Sequence, residues 1–105
     1  SCDITALQKA FARLILKRKV QKPVMRKIES ERYFLKDQIS RVEKLVKQAK
    51  EPLEFDDLFA ANAALELVVT TFLALLELVK QGVIKATQED ILGPIKLVSG
   101  EVNAI

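Results

Sequence analysis

The chain has no histidine and no tryptophan, and only one cysteine, three glycines and three prolines among 105 residues. Each shortage closes a route to function. Without imidazole, the chain lacks the side chain whose ordinary pKa suits proton shuttling near neutrality, and no Ser-His or Cys-His pair can activate a nucleophile. Gly82, Gly93 and Gly100 are too scattered to build a phosphate-cradling loop. Metal ligation lacks imidazole and has no thiolate beyond the terminal Cys2, and the carboxylates show no calcium-loop spacing. Cys2 stands at the extreme terminus with no second cysteine, so an internal disulfide is impossible and an intracellular chain is expected. The expectation is a non-enzyme with no cofactor and no metal.

Positive charge is missing from one long stretch. Between positions 51 and 79 there is no Lys or Arg, while Glu51, Glu54, Asp56, Asp57, Glu66 and Glu77 sum to −6. The overall net charge of +3 hides this. Residues 1–28 hold eight Lys/Arg against one acid, +7, and residues 29–105 hold nine against thirteen, −4. Basic charge is an N-terminal property. The neighbouring acids Asp56 and Asp57 precede Leu58 and Phe59 and suit the first turn of a short helix better than catalysis.

At half apolar and 30% charged, the composition is that of one globular domain with one modest core. The chain begins with serine, as a processed or truncated module of a longer protein would. Its longest run of helix formers is 61–82, ANAALELVVTTFLALLELVKQG, closed by Gly82. A membrane span is the first alternative to test, and Glu66 and Glu77 oppose it, each costing about 2 to 3 kcal/mol near a bilayer centre. Projected at about 100° per residue, Leu65, Val68, Val69, Leu75, Leu76 and Val79 lie within about 60° of Phe72 and predict a core-facing arc. Opposite them, Leu67, Thr71, Ala74 and Leu78 make a second apolar stripe. Glu66, Thr70, Glu77 and Gln81 form a polar strip between the two. The second stripe is either covered by the N-terminal amphipathic helix or open to another chain.

Elsewhere the periodicities are shorter. Asp3 is placed to cap a helix carrying Ile4, Leu7, Phe11 and Leu14, which should end before Pro23. A loose alternation over 24–30 predicts a strand. Leu35, Ile39, Val42, Leu45, Val46 and Ala49 predict a second amphipathic helix. After Pro52 come a short bridging strand over 53–55, a short helix, a corner at Ala60 and Ala61, and Asn62 as cap of the long helix. A hairpin follows, with strands at 83–88 and 95–98 around a turn-rich tip. The order predicts a mainly α fold with a small β-sheet, an α+β winged helix-turn-helix preceded by an amphipathic helix and a strand. Residues 1–22 form the basic N-terminal helix and 23–105 the winged-helix domain, with the wing at about 83–98.

Winged helices commonly lay their third helix in the major groove of DNA, which requires Lys or Arg on its exposed face. Here that face offers Glu66, Thr70 and Glu77, so a protein partner is the better reading. A nucleic-acid backbone contact is left to the basic segment, through Lys17, Arg18, Lys19 and Lys22.

The segment VVTTFLALLELVKQG at 68–82, with Gln88, Gly93 and Ile95 downstream, resembles the C-terminal signature of segregation and condensation protein A, the bacterial kleisin family of the SMC condensin complex. LQKAF at 7–11 and FDDLF at 55–59 fit the same pattern. Two departures are Phe34, where the family often has a capping Ser, and Pro94 in place of an acid beside Gly93. The resemblance implies a C-terminal winged-helix domain that docks on the cap side of an SMC ATPase head and helps bridge SMC subunits in chromosome condensation and segregation. It further implies that ScpB binds a part of the family's protein beyond these residues, that DNA is met only indirectly, that no membrane is involved and that the protein is cytoplasmic and nucleoid-associated. The docking residues expected on this basis are Leu67, Thr71, Ala74 and Leu78 of the second stripe and Leu92, Ile95 and Leu97 of the hairpin.

The acidic third helix predicts no sequence-specific DNA affinity. Gel shifts at about 150 mM salt, where non-specific contacts are screened, should show no discrimination between sequences. Tight, sequence-dependent binding would make the chain a transcription factor.

Overall fold

The first helix opens as its cap predicts: Asp3 Oδ1 accepts a hydrogen bond from the Ala6 amide at 3.0 Å, and α1 runs Ile4–Arg18. The computed structural model describes residues 3–18, 33–91 and 93–100. The strand expected over 24–30 lies outside the described residues, as do Lys19, Lys22 and Leu92. Leu7 and Leu14 of α1 are buried, with Ala10, Phe11 and Ile15 packed against the same core.

The second helix, α2, runs Leu35–Gln48 and starts at Phe34 with no side-chain cap. Phenylalanine has no acceptor for the free amides of a first turn. Val42 and Val46 face inward, whereas Leu45, expected on the same face, is 40% exposed at the flank of the arc. Lys47 and Glu43 pair across one turn at 2.8 Å, an exposed contact of little stabilising value.

Next come the two-residue strand β1, Leu53–Glu54, and a 3-10 turn, Phe55–Leu58. The long helix α3 runs Leu65–Lys80, and the hairpin consists of β2, Ile84–Gln88, and β3, Ile95–Ser99. The sheet order is β1-β3-β2, antiparallel throughout, with Leu97 opposite both Leu53 and Ala86. Ile84, Ala86, Ile95 and Leu97 alternate inward, as the two-residue period of strands requires. Helix, strand, turn, helix and hairpin give the α+β winged-helix arrangement, with α1 added ahead of it.

The start of α3 differs from expectation. Asn62 is not its cap: Ala64 is, without a side-chain hydrogen bond, and Asn62 sits exposed in a turn closed by the Ala63 amide on the Ala60 carbonyl at 3.2 Å. That extra turn delays the helix. Its end is as expected. Gly82 adopts φ 80°, the Val83 amide returns to the Leu78 carbonyl at 3.0 Å and the Gly82 amide to the Val79 carbonyl at 3.1 Å, a paired C-terminal closure that favours glycine at the left-handed position. Gly100 lies over it, donating to the Val83 carbonyl at 2.8 Å. A Cβ at Gly100 would collide with the Gly82 carbonyl, so the strand β3 can leave the sheet only past a glycine here.

Four of the five phenylalanines join these elements. Phe72 of α3 stacks on Phe11 of α1 with centroids 4.1 Å apart and planes 3° from parallel. Phe55 meets Phe72 edge-on at 6.2 Å and Phe59 at 5.2 Å. Phe72→Ala should therefore destabilise the fold by about 3 to 5 kcal/mol, the usual loss for a buried phenylalanine. Thermal melts would show this directly, and an unchanged transition would mean that the ring is not part of the core.

Candidate functional site

A helix sixteen residues long with only Glu66, Glu77 and Lys80 charged must expose some apolar surface, and which side it exposes decides what it can bind. The buried residues of α3 are Val68, Thr71, Phe72, Ala74, Leu75 and Leu78. At about 100° per residue these form one continuous arc of about 160°, running from Ala74 through Leu78, Thr71, Leu75 and Val68 to Phe72. The two apolar stripes anticipated on opposite sides are thus not separate. Most of the second stripe and Val68, Phe72 and Leu75 of the first make a single buried face, Leu76 and Val79 pack half-buried at its edge, and Leu65 and Val69 of the first are turned to solvent.

The cover over the second stripe is α2, not the N-terminal helix. Arg41 of α2 donates from Nη2 to Thr71 Oγ1 at 3.3 Å and from Nε to Gln38 Oε1 at 2.7 Å. Thr71 Oγ1 in turn donates to the Leu67 carbonyl at 2.8 Å. These contacts satisfy a hydroxyl that is 1% exposed, which would otherwise cost free energy to bury.

This placement corrects the proposed docking set. Thr71, Ala74 and Leu78, with Ile95 and Leu97 of the hairpin, are buried in the chain's own core and offer no surface to a second molecule. Leu67 is half-buried and lines a small hollow with Arg41, Ala63 and Thr71. Leu92 is outside the described residues. Conversely, Leu65 and Val69, assigned to the core arc, are 62% and 37% exposed, and Leu73, assigned to neither stripe, is 48% exposed. The signal that would have found them was present: Glu66 and Glu77 project at about 120° and 140° from Phe72. They mark the solvent side, and Leu65, Val69 and Leu73 lie between them and Phe72.

The basic set is also divided. The Arg18 guanidinium donates to the Ala60 carbonyl at 2.7 Å, the Ala61 carbonyl at 3.2 Å and the Phe59 carbonyl at 3.5 Å. It ties the end of α1 to the approach to α3 and has few donors left for a phosphate. Lys17 is exposed, while Lys19 and Lys22 lie outside the described residues.

A groove of about 430 Å³ between α1 and the wing has Arg13 and Lys17 on one wall and Glu54 and Asp56 on the other, over Leu14, Phe55 and Ile95. Among the described residues, no three His, Cys, Asp or Glu gather as a metal site, and no helix is long and apolar enough to cross a membrane.

Leu78→Arg tests the buried arc. A cation forced into a site 1% exposed should cost about 3 kcal/mol or more and lower the melting temperature sharply. An unchanged melting temperature would return Leu78 to the surface.

Comparison with known proteins gives a consistent result. The family model "Segregation and condensation protein ScpA" matches residues 3–99. The chain is similar to proteins named segregation and condensation protein A from Ligilactobacillus salivarius, 47% identical over 96 residues and 88% of this chain, and from Lactiplantibacillus plantarum, 34% identical over 91 residues and 87% of it. The corresponding protein of Enterococcus faecalis is 34% identical over 94 residues, 88% of the chain. These matches cover 37%, 36% and 35% of the relatives, so the chain spans about a third of their length. The family match takes in α1, the winged helix and the wing together, and the chain belongs to the segregation and condensation protein A family.

Proposed function

We propose that this chain is a kleisin winged-helix module that docks on an SMC ATPase head, and that through it the whole protein bridges SMC subunits in chromosome condensation and segregation. The observation that carries the reading is the solvent face of α3. In a helix-turn-helix scaffold this is the element offered to a partner, and here it presents leucine, valine and glutamate with no cation before Lys80. Phosphates would meet Glu66 and Glu77 at a cost, whereas a protein surface can match both the apolar and the acidic character.

The accessory protein ScpB is read as binding elsewhere in the full protein, and DNA as reached through the assembled complex. The module itself performs no catalysis in this reading and works in the cytoplasm at the nucleoid. Direct backbone contact by the basic segment is disfavoured, because the Arg18 guanidinium is engaged by three carbonyls.

Titration calorimetry of the chain against the purified SMC ATPase head of the same organism tests the proposal. One-to-one binding with a Kd of about 1 μM or tighter is expected, within the range of standard-sized interfaces. Absence of binding to the head, with the chain shown to be folded, would overturn it.

A further inference from the structure

Leu65, Val69 and Leu73 are exposed aliphatics spaced one turn apart on α3, and half-buried Leu76 extends the line. At about 1.5 Å per residue the ridge from Leu65 to Leu73 is about 12 Å long. Its two flanks differ. On one side Phe72 is covered by Phe11 of α1, stacked at 4.1 Å, so α1 walls the ridge. On the other side stand Glu66 and Glu77, eleven residues and about 16 Å apart along the axis. Neither forms an ion pair among the described residues; Glu77 Oε2 accepts only from the Gln81 side chain, at 2.7 Å.

Resting on the SMC-head reading above, we infer that this ridge is the docking face, and that the partner presents an aliphatic hollow with two cations along one side, about 16 Å apart. Charge complementarity selects this occupant over the others. A second copy of the chain would pair α3 with α3 about a two-fold axis. Antiparallel, Glu66 of each copy faces Glu77 of the other, which brings like charges together around a dry contact, and α3 has no cation before its last turn to relieve them. Parallel, the glutamate side of each copy meets the side that α1 walls in the other, which holds the two ridges apart. Nucleic acid meets the same two carboxylates. A protein surface with an aliphatic centre and a basic rim on the side away from α1 satisfies every group on this face. Aliphatic anchors surrounded by a charged rim are also the usual anatomy of a specific interface.

The test measures binding to the purified SMC ATPase head by calorimetry for the wild-type chain, Leu73→Arg, the double variant Glu66→Lys with Glu77→Lys, and Ile91→Arg on the wing, which is 86% exposed. Melting temperatures are recorded for each. Leu73→Arg should keep a near wild-type transition and weaken binding by about 30-fold or more, as loss of an interface anchor does. The double glutamate variant leaves the apolar ridge intact. It should weaken binding about 10-fold at low salt and remove most of the fall in affinity that the wild type shows as salt is raised. Ile91→Arg should bind as wild type does. The inference is overturned if the wild type binds the head while the ridge and glutamate variants bind equally well, or if only Ile91→Arg weakens binding. Dimerisation of the free chain that Leu73→Arg abolishes would overturn it in favour of a second copy. A wild-type chain that does not bind the head at all instead removes the SMC-head reading itself, which the first titration distinguishes before any variant is made.

Discussion

The structure depends on the contact between Phe72 and Phe11. Their rings lie parallel at 4.1 Å, and through them the added helix α1 is joined to the helix at the centre of the winged-helix unit. Phe55 and Phe59 surround the pair, so the 3-10 turn is held by the same contact. Aromatic pairs contribute about 0.5 to 1.5 kcal/mol each beyond the area they bury. In a chain of 105 residues, whose total stability is of order 5 to 15 kcal/mol, such a cluster is a large share. Leu7 and Leu14 then bury into one continuous core with Val42, Val46, Leu75 and Leu97, so α1 and the winged helix share a core.

With α1 fixed along one side of α3 and α2 along the other, the long helix has only one side left for solvent. Arg41 on Thr71 and Arg18 on the carbonyls of Phe59, Ala60 and Ala61 act at those two boundaries. Each places a cation in a structural role inside an otherwise acidic region, against neutral acceptors rather than carboxylates. The acids between positions 51 and 79 are left unneutralised among the described residues. The common scaffold of DNA readers thereby presents a negatively charged, partly aliphatic face, the feature on which the proposed docking rests. Fold alone does not carry that proposal; the residues on one side of one helix do.

Much of the local structure was legible from periodicity and end signals. Asp3 capped α1, Gly82 closed α3, and the hairpin formed within a residue of its expected limits, because its inward residues alternate between turn-forming segments. The start of α3 was not legible. Asn62 is a favourable cap by chemistry, but Arg18, forty-odd residues away, grips the carbonyls just before it, a contact that local propensity does not register. The phase of α3 failed for a different reason. Projection on Phe72 made a symmetric arc, and apolar residues on nearly every side of the helix left the true centre undetermined.

By itself, the sequence determined the order and type of the described helices and strands and most of their limits, that the third helix is acidic, and the family to which the chain belongs, since these follow from neighbouring residues and their spacing. Only the tertiary structure decided which of α3's leucines are core and which are surface. Burial is a property of what packs against a side chain, and Leu78 and Leu73 are the same residue on one helix. Leu78 lies on the side that α2 covers and Leu73 on the side that nothing in the chain covers among the described residues.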